Sequence, residues 1–241
     1  MSAGMLAPMT TQIVLVPGFW LGAWAWNDVT NGLRERGYDV APLTLPGLEP
    51  DRDDRSQVTV EEQAEAIVAA LDRSKDRRVL VVHSGAAVPG TVVLDREPEL
   101  VDQVIYVDTA PVRDGYAMNA DLEGDVLELS EVWDEEKEGG AMRDLTDEQL
   151  AEFRAKAVPQ PGRTVKEPVS LGNDARHGVP ATLIATSYSS EDYRKYAAEG
   201  AGFLAALPDY PDLKFVDLPT GHWPMWSKPD QLVETIAEIA G

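Results

Sequence analysis

At 241 residues the chain is long enough for one large domain, and the absence of cysteine excludes both a disulfide framework and a thiolate nucleophile. Its 42 acidic and 21 basic residues give a formal charge of -21, which repels phosphate backbones and anionic lipid, so neither nucleic acid nor a membrane is an expected partner. Three histidines leave little from which to build a metal site, no apolar run reaches the roughly 20 residues that span a bilayer, and MSAGMLAPMTTQ lacks a basic stretch before an apolar one; a cytoplasmic chain without cofactor or metal is expected.

Residues 13–16, IVLV, form the continuous apolar run of a parallel strand buried on both faces, and Pro17-Gly18 end it. A loop carrying FWLGAWAW follows, then a helix on which Trp26, Val29 and Leu33 share a face, with Gly37 placed for a left-handed C-terminal cap. Residues 39–45 read as the next strand. An acidic loop, 49–58, leads to Thr59 and Glu62, which make a capping box for a helix bearing Ala64, Ile67, Val68 and Leu71 on one side. The strand that follows runs into Ser84; residues 85–97 continue as a helix, with Pro89 near its first turns, and 103–108 make another strand.

The rhythm breaks at 112–178, a polar stretch with Gly139-Gly140, several prolines and one clear helix opened by Thr146 and Gln149. This reads as an inserted lid between two parts of one core, 1–111 and 179–241. Alternation resumes with strand 181–186, a helix capped by Ser189, strand 213–218 and a helix from about Pro229 that aligns Leu232, Ile236 and Ile239. Strands alternating with helices imply an α/β fold with a mostly parallel central sheet covered on both faces.

In such a sheet, ligands bind beyond the carboxyl ends of the strands. Phe19, Ser84, Asp108 and His222 each follow a predicted strand. In VLVVHSGAA an apolar run ends on Ser84, as in the strand-turn-helix motif G-x-S-x-G, where the glycines permit a turn that lifts the serine oxygen clear of the sheet. Val82 and Ala86 occupy the glycine positions here, so the motif is loosened. A hydroxyl is a poor nucleophile until a base takes its proton, and His222, in LPTGHWP on the same rim, supplies that base. His83 and His177 read as structural.

These segments resemble the α/β-hydrolase superfamily over nearly the whole chain. LVPGFWLGAWAW is similar to the oxyanion-loop region of the hydroxynitrile lyase and plant methylesterase branch, with Pro17-Gly18 where a His-Gly pair is usual. The resemblance implies a serine hydrolase that cleaves a small or medium ester, lactone or thioester through an acyl-enzyme, with the backbone N–H groups of Phe19 and Gly85 as oxyanion hole. Trp20 and Trp133 are expected to line an apolar substrate site, and Trp24 and Trp26 to pack in the core. For the acid, Asp108 leads. Glu191 or Asp192 is the alternative, because the family most often places its acid after the strand read as 181–186; both also sit where a helix dipole favours carboxylates. A carbon-carbon lyase is a further reading, opposed by Trp223 where that branch carries lysine, and a non-catalytic binding homologue is another.

Overall fold

The computed structural model describes residues 9–241. Strands β1 (Thr11–Val16), β2 (Asp39–Pro42), β3 (Arg77–His83) and β4 (Gln103–Val107) alternate with helices α1 (Asn27–Glu35), α2 (Val60–Ala70) and α3 (Ala87–Arg96). An insertion follows, containing β5 (Val126–Leu127), α4 (Leu129–Glu138), α5 (Asp147–Lys156), β6 (Gln160–Pro161) and α6 (Gly162–Lys166). The chain then completes the core with β7 (Ala181–Ala185), α7 (Ser190–Ala198), β8 (Lys214–Asp217), α8 (Pro224–Ser227) and α9 (Pro229–Ala240).

Six strands pair in parallel in the order β2-β1-β3-β4-β7-β8, while β5 and β6 form a separate antiparallel pair within the insertion. Successive side chains of a strand point to opposite faces, and here both faces are buried, which is why the strands read as unbroken apolar runs. Val14, Val16, Leu80, Val82, Val104, Tyr106 and Leu183 join Ala64 and Ile67 of α2 and Val92 of α3 in one cluster. Ile13, Leu15, Val79, Val81, Ile105, Val107 and Ile184 join Val29 and Leu33 of α1 and Leu232, Val233 and Ile236 of α9 in the other. No helix among the described residues is long and apolar enough to cross a membrane.

Several boundaries differ from the sequence expectation. Trp26 closes a short 3-10 turn, Ala23–Trp26, and the helix proper starts one residue later. Edge strand β2 ends at Pro42 rather than at residue 45, and an edge is where a strand tolerates a proline. Behind Ser84 a 3-10 turn, Ser84–Ala86, precedes α3, so Pro89 falls in the first turn of the α-helix, where its missing N–H leaves no helical bond unmade. The insertion holds three helices instead of one. In α4 the acidic run hides the two buried positions, Leu129 and Trp133, that tie the helix to the core.

Val82, which departs from the small residue expected two positions before the serine, has a structural counterpart. Gly90 of α3 lies directly above it, and a Cβ at Gly90 would come within 2.8 Å of a Val82 methyl. The small residue that permits close strand-helix approach here is in the helix, at Gly90.

Gly90→Ala tests this. Replacing a helical glycine by alanine gains about 1 kcal/mol of propensity, whereas forcing a methyl into a filled core costs about 1–3 kcal/mol. Denaturant unfolding is therefore expected to show Val82→Ala/Gly90→Ala more stable than the sum of its two single variants, and strict additivity would contradict the size exchange.

Candidate active site

Ser84 sits at the turn from β3 into α3 with φ +52°, a left-handed conformation costly for a residue bearing a Cβ. The surroundings that hold it are close. A Cβ at Gly18 would meet the Ser84 Cβ at 2.8 Å, and a Cβ at Gly85 would meet the Phe19 ring at 2.2 Å. Only glycine fits at either position, so the loop after β1 lies against the turn that carries the serine.

His222 reaches this turn from the loop after β8. Its Nε2 lies 2.8 Å from Ser84 Oγ and its Nδ1 2.6 Å from Asp108 Oδ2. Asp108 follows β4 with φ +47°, and its side chain is 1% exposed. A buried carboxylate is costly unless its oxygens are hydrogen-bonded, and here both are. Oδ1 accepts the N–H groups of Thr186 and Ser187, each at 3.0 Å, and the Tyr193 hydroxyl at 3.2 Å; Oδ2 accepts the Ser187 hydroxyl and the imidazole. Burial pushes the carboxyl upward, but the bonds and charge of His222, with those from Ser187, outweigh it and hold Asp108 well below the usual carboxylate range. For His222, burial works against the charged ring, and the Asp108 carboxylate more than compensates, leaving its pKa raised above 6.5.

Of the residues singled out from sequence, Ser84, His222 and Asp108 meet in one hydrogen-bonded row. Glu191 and Asp192 do not join it. Asp192 closes the capping box of α7 with Ser189, and Glu191 is exposed in the first turn of the same helix. The loop after β7 supplies donors to Asp108 in place of an acid. Phe19 and Gly85 lie side by side next to the serine, and the Phe19 N–H has no hydrogen-bond partner among the described residues.

The two tryptophans expected to line the substrate site do not face the cavity at Ser84. Trp20 is pinned to the insertion: its indole N–H donates to the Leu127 carbonyl at 2.9 Å, its backbone N–H to Gln160 Oε1 at 3.3 Å, and its carbonyl accepts from Val158 N–H at 3.1 Å. Trp133 packs against Phe153 beneath the Arg154 guanidinium, and borders a separate cavity of about 430 Å³ that contains none of the three meeting residues. The cavity at Ser84 measures about 200 Å³, and Ala87, Val88, Ala110, Val112 and Tyr116 are among the residues that line it.

Three positioning features escaped the sequence reading. His83, read as structural, donates from Nε2 to the His222 carbonyl at 2.7 Å, while its fully buried Nδ1 has no partner among the described residues. Arg143 of the insertion donates to the carbonyls of Thr186 and Ser187, each at 2.9 Å. The neighbouring Ala141 carbonyl accepts the His222 N–H at 2.7 Å, and Asp144 accepts the Thr220 hydroxyl at 3.0 Å. Residues 141–144 thus tie the loop bearing the histidine to the loop bearing the donors to Asp108. The four-residue segment has no motif, so only its contacts reveal it.

A serine, an aspartate and a histidine meet, in that chain order, at the C-terminal rim of a parallel α/β sheet, an arrangement that can activate a serine hydroxyl. The chain belongs to the alpha/beta hydrolase family, whose pattern matches residues 13–235. It is 24% identical over 250 residues to putative methylesterase 12, chloroplastic, of Arabidopsis thaliana, covering 95% of this chain and 71% of that one. It is 26% identical over 213 residues to esterase PIR7B of Oryza sativa subsp. japonica, covering 86% and 68%. Among solved structures, the fold is similar to that of the pyrethroid hydrolase PytH, with TM-score 0.72 at 19% identity over 96% of this chain and 98% of that one.

The adjacent pair of buried His83 and half-buried His222 makes stability depend on pH. Burial, then the neighbouring His222 charge, pulls His83 from 6.5 to about 3. In the unfolded chain His83 takes up a proton below pH 6.5 that the native state refuses, so its contribution to stability is full above that pH and is lost as pH falls. His222 acts oppositely: the native state holds its proton more tightly, so its contribution is complete below 6.5 and is lost as pH rises through the raised value. Between pH 6 and 5 the first effect stands almost alone, with a slope of at most about 1.4 kcal/mol per pH unit. His83→Gln, whose amide can still donate to the His222 carbonyl, is expected to flatten the urea-unfolding stability across that interval; an undiminished slope would contradict the assignment.

Proposed function

We propose that this chain is a serine hydrolase of neutral carboxylic esters, with Ser84 as nucleophile, His222 as general base and acid, and Asp108 as the residue that orients the imidazole. The hydrogen-bonded row from Ser84 Oγ through His222 to Asp108 carries this reading. Because Asp108 can only accept, it fixes the neutral imidazole as the tautomer protonated at Nδ1, which leaves Nε2 free to take the serine proton.

In the first half-reaction Ser84 Oγ bonds to the ester carbonyl carbon as its proton passes to His222 Nε2. The carbonyl oxygen, now anionic, is received by the N–H groups of Phe19 and Gly85. The bond to the alkoxy oxygen then breaks, His222 returns the proton to that oxygen, and an alcohol departs. In the second, water repeats the sequence, its proton going to Nε2 and then to Ser84 as the acid is released. Donors aimed at an oxyanion are worth about 3–4 kcal/mol each in such a site.

Among the described residues no lysine or arginine lines the cavity at Ser84, and alanine, valine and tyrosine make up much of its wall. A substrate whose groups beside the carbonyl are apolar and uncharged fits that wall; a carboxylate would lose its hydration with no cation to replace it. The relatives named as esterases and methylesterases favour the same chemistry. The lyase alternative lacks its cation. Trp223, next to His222, is 2% exposed and packed against Phe153 and Trp226.

Ser84→Ala and His222→Ala are each expected to abolish hydrolysis of p-nitrophenyl esters, and Ser84→Ala to abolish labelling by a fluorophosphonate; retention of most activity by either variant would defeat the mechanism. Asp108→Asn is expected to lower kcat by about 10³ to 10⁴ with the fold intact, as when a histidine is left in the wrong tautomer, whereas Asp192→Asn leaves the rate unchanged. The reverse pattern would move the acid to α7. In the unaltered protein kcat/KM is expected to fall with decreasing pH through a value above 6.5, where His222 takes up its proton; a limb below 6.5 would contradict the pairing with Asp108.

A further inference from the structure

The exposed large apolar side chains of the described residues are Met9, Met118, Tyr188 and Phe203, at 70%, 39%, 48% and 45% exposure. Isolated exposed apolar groups are ordinary, but contiguous ones mark contact surfaces. Three of these four do not lie at random: Met118, Tyr188 and Phe203 all border the cavity at Ser84. They come from separate segments, the loop before β5, the turn between β7 and α7, and the 3-10 turn Gly202–Leu204. Tyr188 is further supported from beneath, edge-to-face, by Tyr193 at 6.3 Å and Tyr196 at 5.6 Å, so it is braced rather than loose.

The cavity itself is small. About 200 Å³ falls below the roughly 300–1,000 Å³ of sites that enclose a whole drug-sized ligand. An ester has two sides, and a cavity this size encloses one of them while the other projects past the mouth. We infer that Met118, Tyr188 and Phe203 form an outer subsite that receives the second, apolar side of the ester. The substrate then has a compact apolar group inside and an extended apolar group lying across the rim. This rests on the esterase reading above. The occupant follows from continuity, since the three side chains border the same space as the serine oxygen. A lipid surface is disfavoured by the formal charge of -21, and three residues around an opening present a collar rather than a face for a second copy.

The test compares p-nitrophenyl acetate with p-nitrophenyl octanoate. Each methylene buried on the rim multiplies kcat/KM by about two- to four-fold, so the unaltered protein is expected to prefer octanoate by at least about ten-fold. Tyr188→Ser/Phe203→Ser is expected to reduce that preference by about ten-fold, through KM for octanoate, while Tyr188→Phe/Phe203→Leu retains it. An unaltered protein that favours acetate, a preference unmoved by the serine pair, or a loss shared equally by both esters would each overturn the subsite while leaving the hydrolase intact. No turnover of either ester by the unaltered protein would refute the esterase reading, and the subsite with it. Dimerisation in sedimentation, or binding to phosphatidylcholine vesicles, abolished by the serine pair would give the rim to a second copy or to lipid and likewise overturn the proposal.

Discussion

The carboxylate of Asp108 is the constraint around which the site is assembled. An ion this buried is stable only where donors replace the water it has lost, and five surround it, drawn from Thr186, Ser187, Tyr193 and His222. Each donor belongs to a segment C-terminal to the insertion, so satisfying one charge brings the last quarter of the chain to the end of β4. The left-handed backbone at Asp108 is the local cost of aiming the side chain across the sheet rim, and the bonds at both oxygens offset it.

Steric fit does for Ser84 what charge does for Asp108. Glycine at 18 and 85 lets the β1 loop and the Phe19 ring close on the serine turn, and Gly90 accommodates Val82 beneath it. Size is balanced across each contact: where the strand carries a valine, the helix above carries a glycine, and where Phe19 brings a ring, Gly85 has no side chain. A motif defined by single positions misses such exchanges because packing constrains pairs of residues. The insertion adds a third support, holding the histidine loop through Ala141 and Asp144 and the donor loop through Arg143.

Much of this was legible in the sequence. Apolar runs ended by Pro-Gly or by small residues located the strands, and capping pairs such as Thr59 with Glu62 located helix starts, because both signals are local. Ser84 and His222 were legible for the same reason. Asp108 was legible only as the leading one of three carboxylates, at 108, 191 and 192, that all follow plausible strand ends, and the placement of β4 beside β7 brings it to face the imidazole. Trp20 and Trp133 looked like substrate contacts because composition does not distinguish an aromatic that borders a ligand from one that pins an insertion to the core. Arg143 was invisible: backbone carbonyls as partners leave no trace in the sequence of the loops that offer them.

Asp108, His222 and Ser84 therefore form a single hydrogen-bonded unit, the preorganisation that the proposed hydrolysis requires. The bond at its centre, from His222 Nδ1–H to Asp108 Oδ2, is observable in the resting protein by proton NMR. A low-field imidazole resonance is expected that disappears in Asp108→Asn and in His222→Ala but survives Asp192→Asn. Its persistence in folded Asp108→Asn, or its loss in Asp192→Asn, would contradict the arrangement on which the account depends.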